Sequence, residues 1–162
     1  METMLAVDPG KFHAAGAVFV DGRLKRSGLF ETPLRDPATA GLDLGSSLAR
    51  FVGGYEIESL VVEYPIVYPR GPGDPNDLLA LAYVAGVLVG VLKPLSPRLV
   101  TPNRWKGNVP KKVIRLRVLG DRAAGVEGRL SKDEVEILGD DPSHHIVDAV
   151  GIGLWALGRL RK

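Results

Sequence analysis

The chain has 162 residues, 45% of them hydrophobic and 25% charged, a composition that excludes a disordered polymer and suits one domain with its own core. It has no cysteine, which excludes a disulfide framework and thiolate metal sites and fits an intracellular protein. The net charge is +2, too small to assign a partner until its distribution is read.

Residues 1–162 read as a single domain. The N-terminus lacks a basic stretch followed by a long apolar run, so no signal peptide is expected. MLAVD, residues 4–8, predicts a first strand. DPGK reads as a tight turn, with Pro9 presetting φ and Gly10 permitting a positive φ. AAGAVFV, residues 14–20, predicts a second strand, and Asp21-Gly22 a hairpin turn. RLKRSGLF predicts a third strand, charged as an edge strand is. The three make an antiparallel meander.

Residues 38–52 predict a helix through Leu42, Leu48, Ala49 and Val52. IESLVVEYP predicts a fourth strand ending near Glu63, parallel to the first because a helix separates them. A Pro/Gly-rich loop at 69–75 follows. Asp77 is read as the cap of an apolar helix over 78–92. That run has fifteen residues, short of the roughly 18 that a membrane span needs, so a buried helix and no membrane partner are expected. PRLVTP predicts a fifth strand, the basic segment after it one or two helices, and GDRAAGVEG a loop. Asp141-Pro142 reads as the N-cap and first residue of the last helix. The order βββαβαβα predicts an α/β fold with a mixed central sheet.

Charge is concentrated in one interval. No acid lies between Asp77 and Asp121, where eight Lys and Arg residues fall. Arg104, Lys106, Lys111, Lys112, Arg115 and Arg117 make a candidate phosphate-binding surface.

Three carboxylates interrupt apolar elements: Asp8 at the end of the first strand, Glu63 at the end of the fourth, and Asp148 inside the last helix. Each alone has an ordinary reading, as a turn former, a solvated strand end or an arginine partner. Together they fall where ligands of open α/β sheets sit, outside the carboxyl ends of the strands. Clustered carboxylates either share protons or hold a hard cation. With histidine added and cysteine absent, the donors suit Mg²⁺ or Mn²⁺, and a pair of such ions catalyses displacement at phosphate. His144 and His145 stand at i,i+4 and i,i+3 to Asp148, so helix spacing admits either as the imidazole of the site.

LAVDPG, LVVEYP and HHIVDAVGIGLWAL, in that order, resemble the RuvC family of Holliday junction resolvases, and the small size resembles its phage-type members. The resemblance covers nearly the whole chain and implies an RNase H-like fold, a mixed five-stranded sheet flanked by helices. It implies a homodimeric endonuclease that cuts four-way DNA junctions and other branched DNA, with two Mg²⁺ or Mn²⁺ ions per active site. It leaves a 5′-phosphate and a 3′-hydroxyl. By resemblance Asp8, Glu63, His145 and Asp148 are the catalytic and metal-binding residues, and His145 is preferred over His144. Tyr64 or Tyr68, with Tyr68 preferred, would push into the opened junction. The helix over 78–92 corresponds to a dimer-forming helix, and Lys106, Lys111 and Lys112 to phosphate-contacting residues; Arg104 and Arg115, from the same basic cluster, complete the expected DNA-binding surface. NRWKGNVPKK departs from the bacterial pattern. The implied location is the cytoplasm of a bacterial cell or phage-infected host.

Two other readings compete. A branched-DNA-binding protein that does not cut would keep the basic face without needing the acids. An actin-like phosphotransferase shares strand order and an early Asp-Gly turn, but DPGK lacks the fuller glycine-rich phosphate loop and the chain is short for two lobes.

Overall fold

A computed structural model describes residues 2–67, 74–121 and 123–160. In chain order the elements are β1 (Thr3–Pro9), β2 (His13–Val20), β3 (Arg23–Glu31), α1 (Pro37–Val52), β4 (Ser59–Glu63), α2 (Pro75–Leu92) and β5 (Ser96–Val100). Then come α3 (Pro102–Trp105), α4 (Lys111–Leu119), β6 (Gly120–Asp121), β7 (Val126–Glu127), α5 (Lys132–Leu138) and α6 (His144–Ala156).

The main sheet has five strands in the order β3-β2-β1-β4-β5. The meander is antiparallel, and β4 and β5 add in parallel beside β1. The β2–β3 turn has Asp21 and Gly22 at φ 49° and 76°, as a two-residue hairpin of this sequence requires. Gly10 is different. It does not use the positive φ that glycine permits.

Strand alternation sorts the core. Leu5, Val7, Leu60 and Val62 pack with Leu44, Leu48 and Leu88 of α1 and α2. Met4, Ala6 and Val61 face the other way, onto Val147, Val150, Ile152 and Leu154 of α6. Asp8 and Glu63 continue this second set, so both acids project towards α6. They stand one residue beyond the parallel pair Val7–Val62.

Several sequence expectations change. The apolar helix starts at Pro75 and has 18 residues, and its N-cap is Asp74, which accepts from the Asn76 amide at 2.8 Å. Asp77 instead binds Lys11, with Nζ 2.7 Å from its carboxylate. Nor is α2 buried all round. Val84, Ala85, Leu88 and Leu92 are covered, while Leu79 and Tyr83 are 68% and 55% exposed. With a mean hydropathy of 1.7 it is long and apolar enough to cross a bilayer. Protein covers one side of it, because Gly41 and Gly45 of α1 let Val87 and Val91 approach closely.

The expected loop over 120–128 pairs as the short hairpin β6–β7. The helix α5 was not anticipated, although Ser131 and Glu134 form a complete capping box at its start. Ser143, not Asp141, caps α6, accepting from the Ile146 amide at 3.3 Å. Asp141 and the Pro142 carbonyl both accept from Arg115, at 2.8 Å each.

Candidate active site

Asp8 and Asp148 are buried, at 7% and 6% exposure, and Glu63 is half-buried. The last helix reaches the acids because it lies unusually close to its neighbours. Gly153 leaves room for the Phe19 ring, and Gly151 for Trp105, whose ring a Cβ there would meet at 2.7 Å. Trp105 is 2% exposed, and its indole Nε1 donates to Glu63 Oε2 at 2.5 Å.

Lys106 lies between the other two acids. Its Nζ donates to Asp148 Oδ2 at 3.0 Å and stands 3.5 Å from Glu63 Oε2. It also lies over the Trp105 ring, 4.7 Å from the centroid. His145 Nδ1 is 2.9 Å from Asp8 Oδ2. The His145 ring stands beside both other histidines of the chain, with centroids 4.2 Å from His13 and 3.9 Å from His144.

Electrostatics follow from this packing. Burial pushes the Glu63 carboxyl up, only partly opposed by Lys106. Burial alone would lower the Lys106 ammonium, but Glu63 and Asp148 outweigh it and the net shift is upward. The bond to Asp8 raises His145 against its partial burial. His13 and His144 are both lowered, first by burial and then by His145. Of the three imidazoles, His145 is therefore the one whose proton is held most firmly.

The donor chemistry fits a hard divalent cation. Two carboxylates already share the Lys106 ammonium, and a third acid and an imidazole adjoin them. As the side chains stand, no three His, Asp or Glu among the described residues form a closed ligand set. Asp8 is engaged by His145, Glu63 by Trp105 and Asp148 by Lys106. A cation held by Glu63 and Asp148 would compete with the Lys106 ammonium for the same oxygens.

Asp8, Glu63, His145 and Asp148 thus come together as the sequence led one to expect. The basic residues divide. Lys106 reaches into the acid cluster. Lys111 and Lys112 are exposed and line a cleft of about 180 Å³ with Arg115, His144 and Asp148. Arg115 is tied to Asp141 and Pro142, and Arg104 is exposed on α3. Tyr64 is at the surface just past Glu63, and Tyr68 lies outside the described residues. Sequence reasoning missed His13 and Trp105. For Trp105 a signal existed, since a buried indole N–H needs an acceptor.

A mixed sheet of this order, with acids at the ends of β1 and β4 and a third on the helix packed across them, defines an RNase H-like fold. More particularly, it is the fold of RuvC-like resolvases. "T. thermophilus RuvC in complex with Holliday junction substrate" superposes with a TM-score of 0.65 at 14% identity, over 99% of both chains. "Thermus thermophilus RuvC structure" gives 0.57 at 16%, over 98% of both. The Fowlpox virus resolvase, in a complex with Holliday junction DNA, gives 0.57 at 16%, over 97% of this chain and 99% of that one. No protein-family model and no curated sequence matches the chain.

Proposed function

We propose that this protein is a metal-dependent, structure-selective endonuclease that hydrolyses phosphodiester bonds in four-way junctions and related branched DNA. The observation that carries this is the convergence of Asp8, Glu63, His145 and Asp148 at the carboxyl ends of the parallel strands of a RuvC-like fold. Asp8, Glu63 and Asp148, with His145, would hold Mg²⁺ or Mn²⁺. When bound, two such ions supply an activated water and stabilise the leaving oxygen.

The chain's own residues do the rest. His145, held through Nδ1 by Asp8, keeps Nε2 for a metal or for orienting the nucleophilic water. Lys106, once released from Glu63 and Asp148, offers its ammonium to the scissile phosphate. Lys111 and Lys112, exposed beside the site, bind flanking phosphates. The exposed face of α2 pairs with a second copy, giving one site per strand of the junction. The setting is the cytoplasm of a bacterial or phage-infected cell.

One observation favours a branched-DNA-binding protein that does not cut: the Lys106 ammonium stands 3.0 Å from Asp148 and 3.5 Å from Glu63 and balances the charge of two of the acids. A labelled four-way junction, incubated with and without Mg²⁺ or Mn²⁺, separates the readings. The nuclease cuts only with metal, and Asp8→Asn abolishes cutting while junction binding persists. Binding without cutting by the wild-type protein in both ions would leave the second reading standing.

A further inference from the structure

All three histidines of the chain lie in one contiguous cluster, and one of them comes from the other side of the site. His13 opens β2, and its ring stacks at a tilt of 52° beside His145, 4.2 Å centroid to centroid. His145 is the residue bonded to Asp8. What brings His13 there is Gly10. A Cβ on Gly10 would collide with three atoms of the His13 imidazole, and nothing else is nearer. The Gly10 amide also donates to the His13 carbonyl at 2.7 Å, closing the loop between the two strands. Gly10 does not have a positive φ, so backbone conformation does not demand glycine there. Space for the His13 ring does.

We infer that His13, admitted by the missing side chain of Gly10, is a positioning residue that walls one face of His145 and fixes the rotation of its imidazole. His144 stands against the same ring as well, with centroids 3.9 Å apart. With its plane set and Nδ1 engaged by Asp8, Nε2 has one direction left. The role in catalysis rests on the nuclease reading above. The positioning of His145 does not.

Two measurements keep these apart. In metal-free protein, at a pH high enough to keep His145 neutral, ¹H–¹⁵N spectra of the imidazole nitrogens report whether His145 holds one tautomer. His13→Ala should broaden or average the His145 signals while the backbone amide spectrum elsewhere stays folded. His13→Phe, which keeps a ring in place, should preserve them. On branched DNA, His13→Ala should lower kcat roughly 10–100-fold, the range for groups supporting a ligating histidine, with KM unchanged and His13→Phe rescuing most of the loss. Gly10→Ala should reproduce His13→Ala, and the double variant should be no worse than either, because both act through one ring. His145 signals that do not change in His13→Ala overturn the inference, as does a His13→Phe variant as defective as His13→Ala. Failure of the wild-type protein to cut any branched DNA would remove the nuclease reading, and the spectra alone would then decide the positioning.

Discussion

Lys106 is the residue on which the charge balance of the site turns. Without its ammonium, Glu63 and Asp148 face each other with little water to screen them. Burial already raises the Glu63 carboxyl. A raised acid favours the folded state when protonated, and that contribution fades as pH rises through its folded value. Lys106→Met should therefore lower Tm at neutral pH, with the deficit shrinking in mild acid, as thermal melts at both pH values would show. Glu134 has the opposite sign. Burial opposes its charge, but Arg159, the Leu24 amide and the Ser131 amide hold its pKa down from 4.5 to about 2. Its contribution is complete above 4.5 and is lost as pH falls to about 2. It is worth about 3 kcal/mol at neutral pH, and urea denaturation of Glu134→Gln should show a loss of that order that closes towards pH 2. The acids of the site were legible because a carboxylate inside an apolar run has no cheap place in a core. His13 was not, because its ring reaches His145 only through the closure of β1 on β2 and the docking of α6.

Helix α6 delivers both His145 and Asp148, so its first turn must hold. Ser143 accepts from the Ile146 amide, while the Asp141 carboxylate is spent on Arg115 at a side-chain exposure of 92%. Ser143→Ala should cost about 1 kcal/mol in urea denaturation and should lower cleavage by fraying the turn that carries His145. Asp141→Ala should leave stability nearly unchanged, since exposed ion pairs contribute little. The reverse ranking would restore Asp141 as the cap. The sequence misled here because Asp-Pro and Ser are both good helix starters two residues apart, and only the docking of α6 against the sheet selects between them. The strand order was easier. Period-two alternation in MLAVD and SLVVE sets the buried faces and sends Asp8 and Glu63 to one side. By contrast α5 was missed, despite the legible Ser131–Glu134 capping box, because its few apolar residues show little period.

The whole molecule presents two unlike surfaces. On one, the exposed Lys111 and Lys112 line a cleft with Asp148. Junction binding through them should weaken linearly in log affinity with log salt, by a slope of about 0.9 per phosphate contacted, and Lys111→Ala with Lys112→Ala should make that slope shallower by about 2. Elsewhere, Leu79 and Tyr83 of α2, Leu95 just before β5 and Leu99 within it are 68%, 55%, 72% and 47% exposed. Hydropathy alone could not reveal this face, because it records that a helix is apolar and not what covers it. An interface stable in solution takes about 800 Å² from each partner, which a helix of 18 residues with an adjoining edge strand can supply. Sedimentation velocity should then find a dimer at micromolar concentration. Leu79→Glu with Tyr83→Glu should convert it to a folded monomer of unchanged circular dichroism, because neither side chain belongs to the monomer's core. That monomer should still bind a junction arm through the basic face but should lose paired cutting of opposite strands. A wild-type protein that sediments as a monomer would refute the dimer, and vesicle flotation would then test whether the apolar face meets a lipid surface instead.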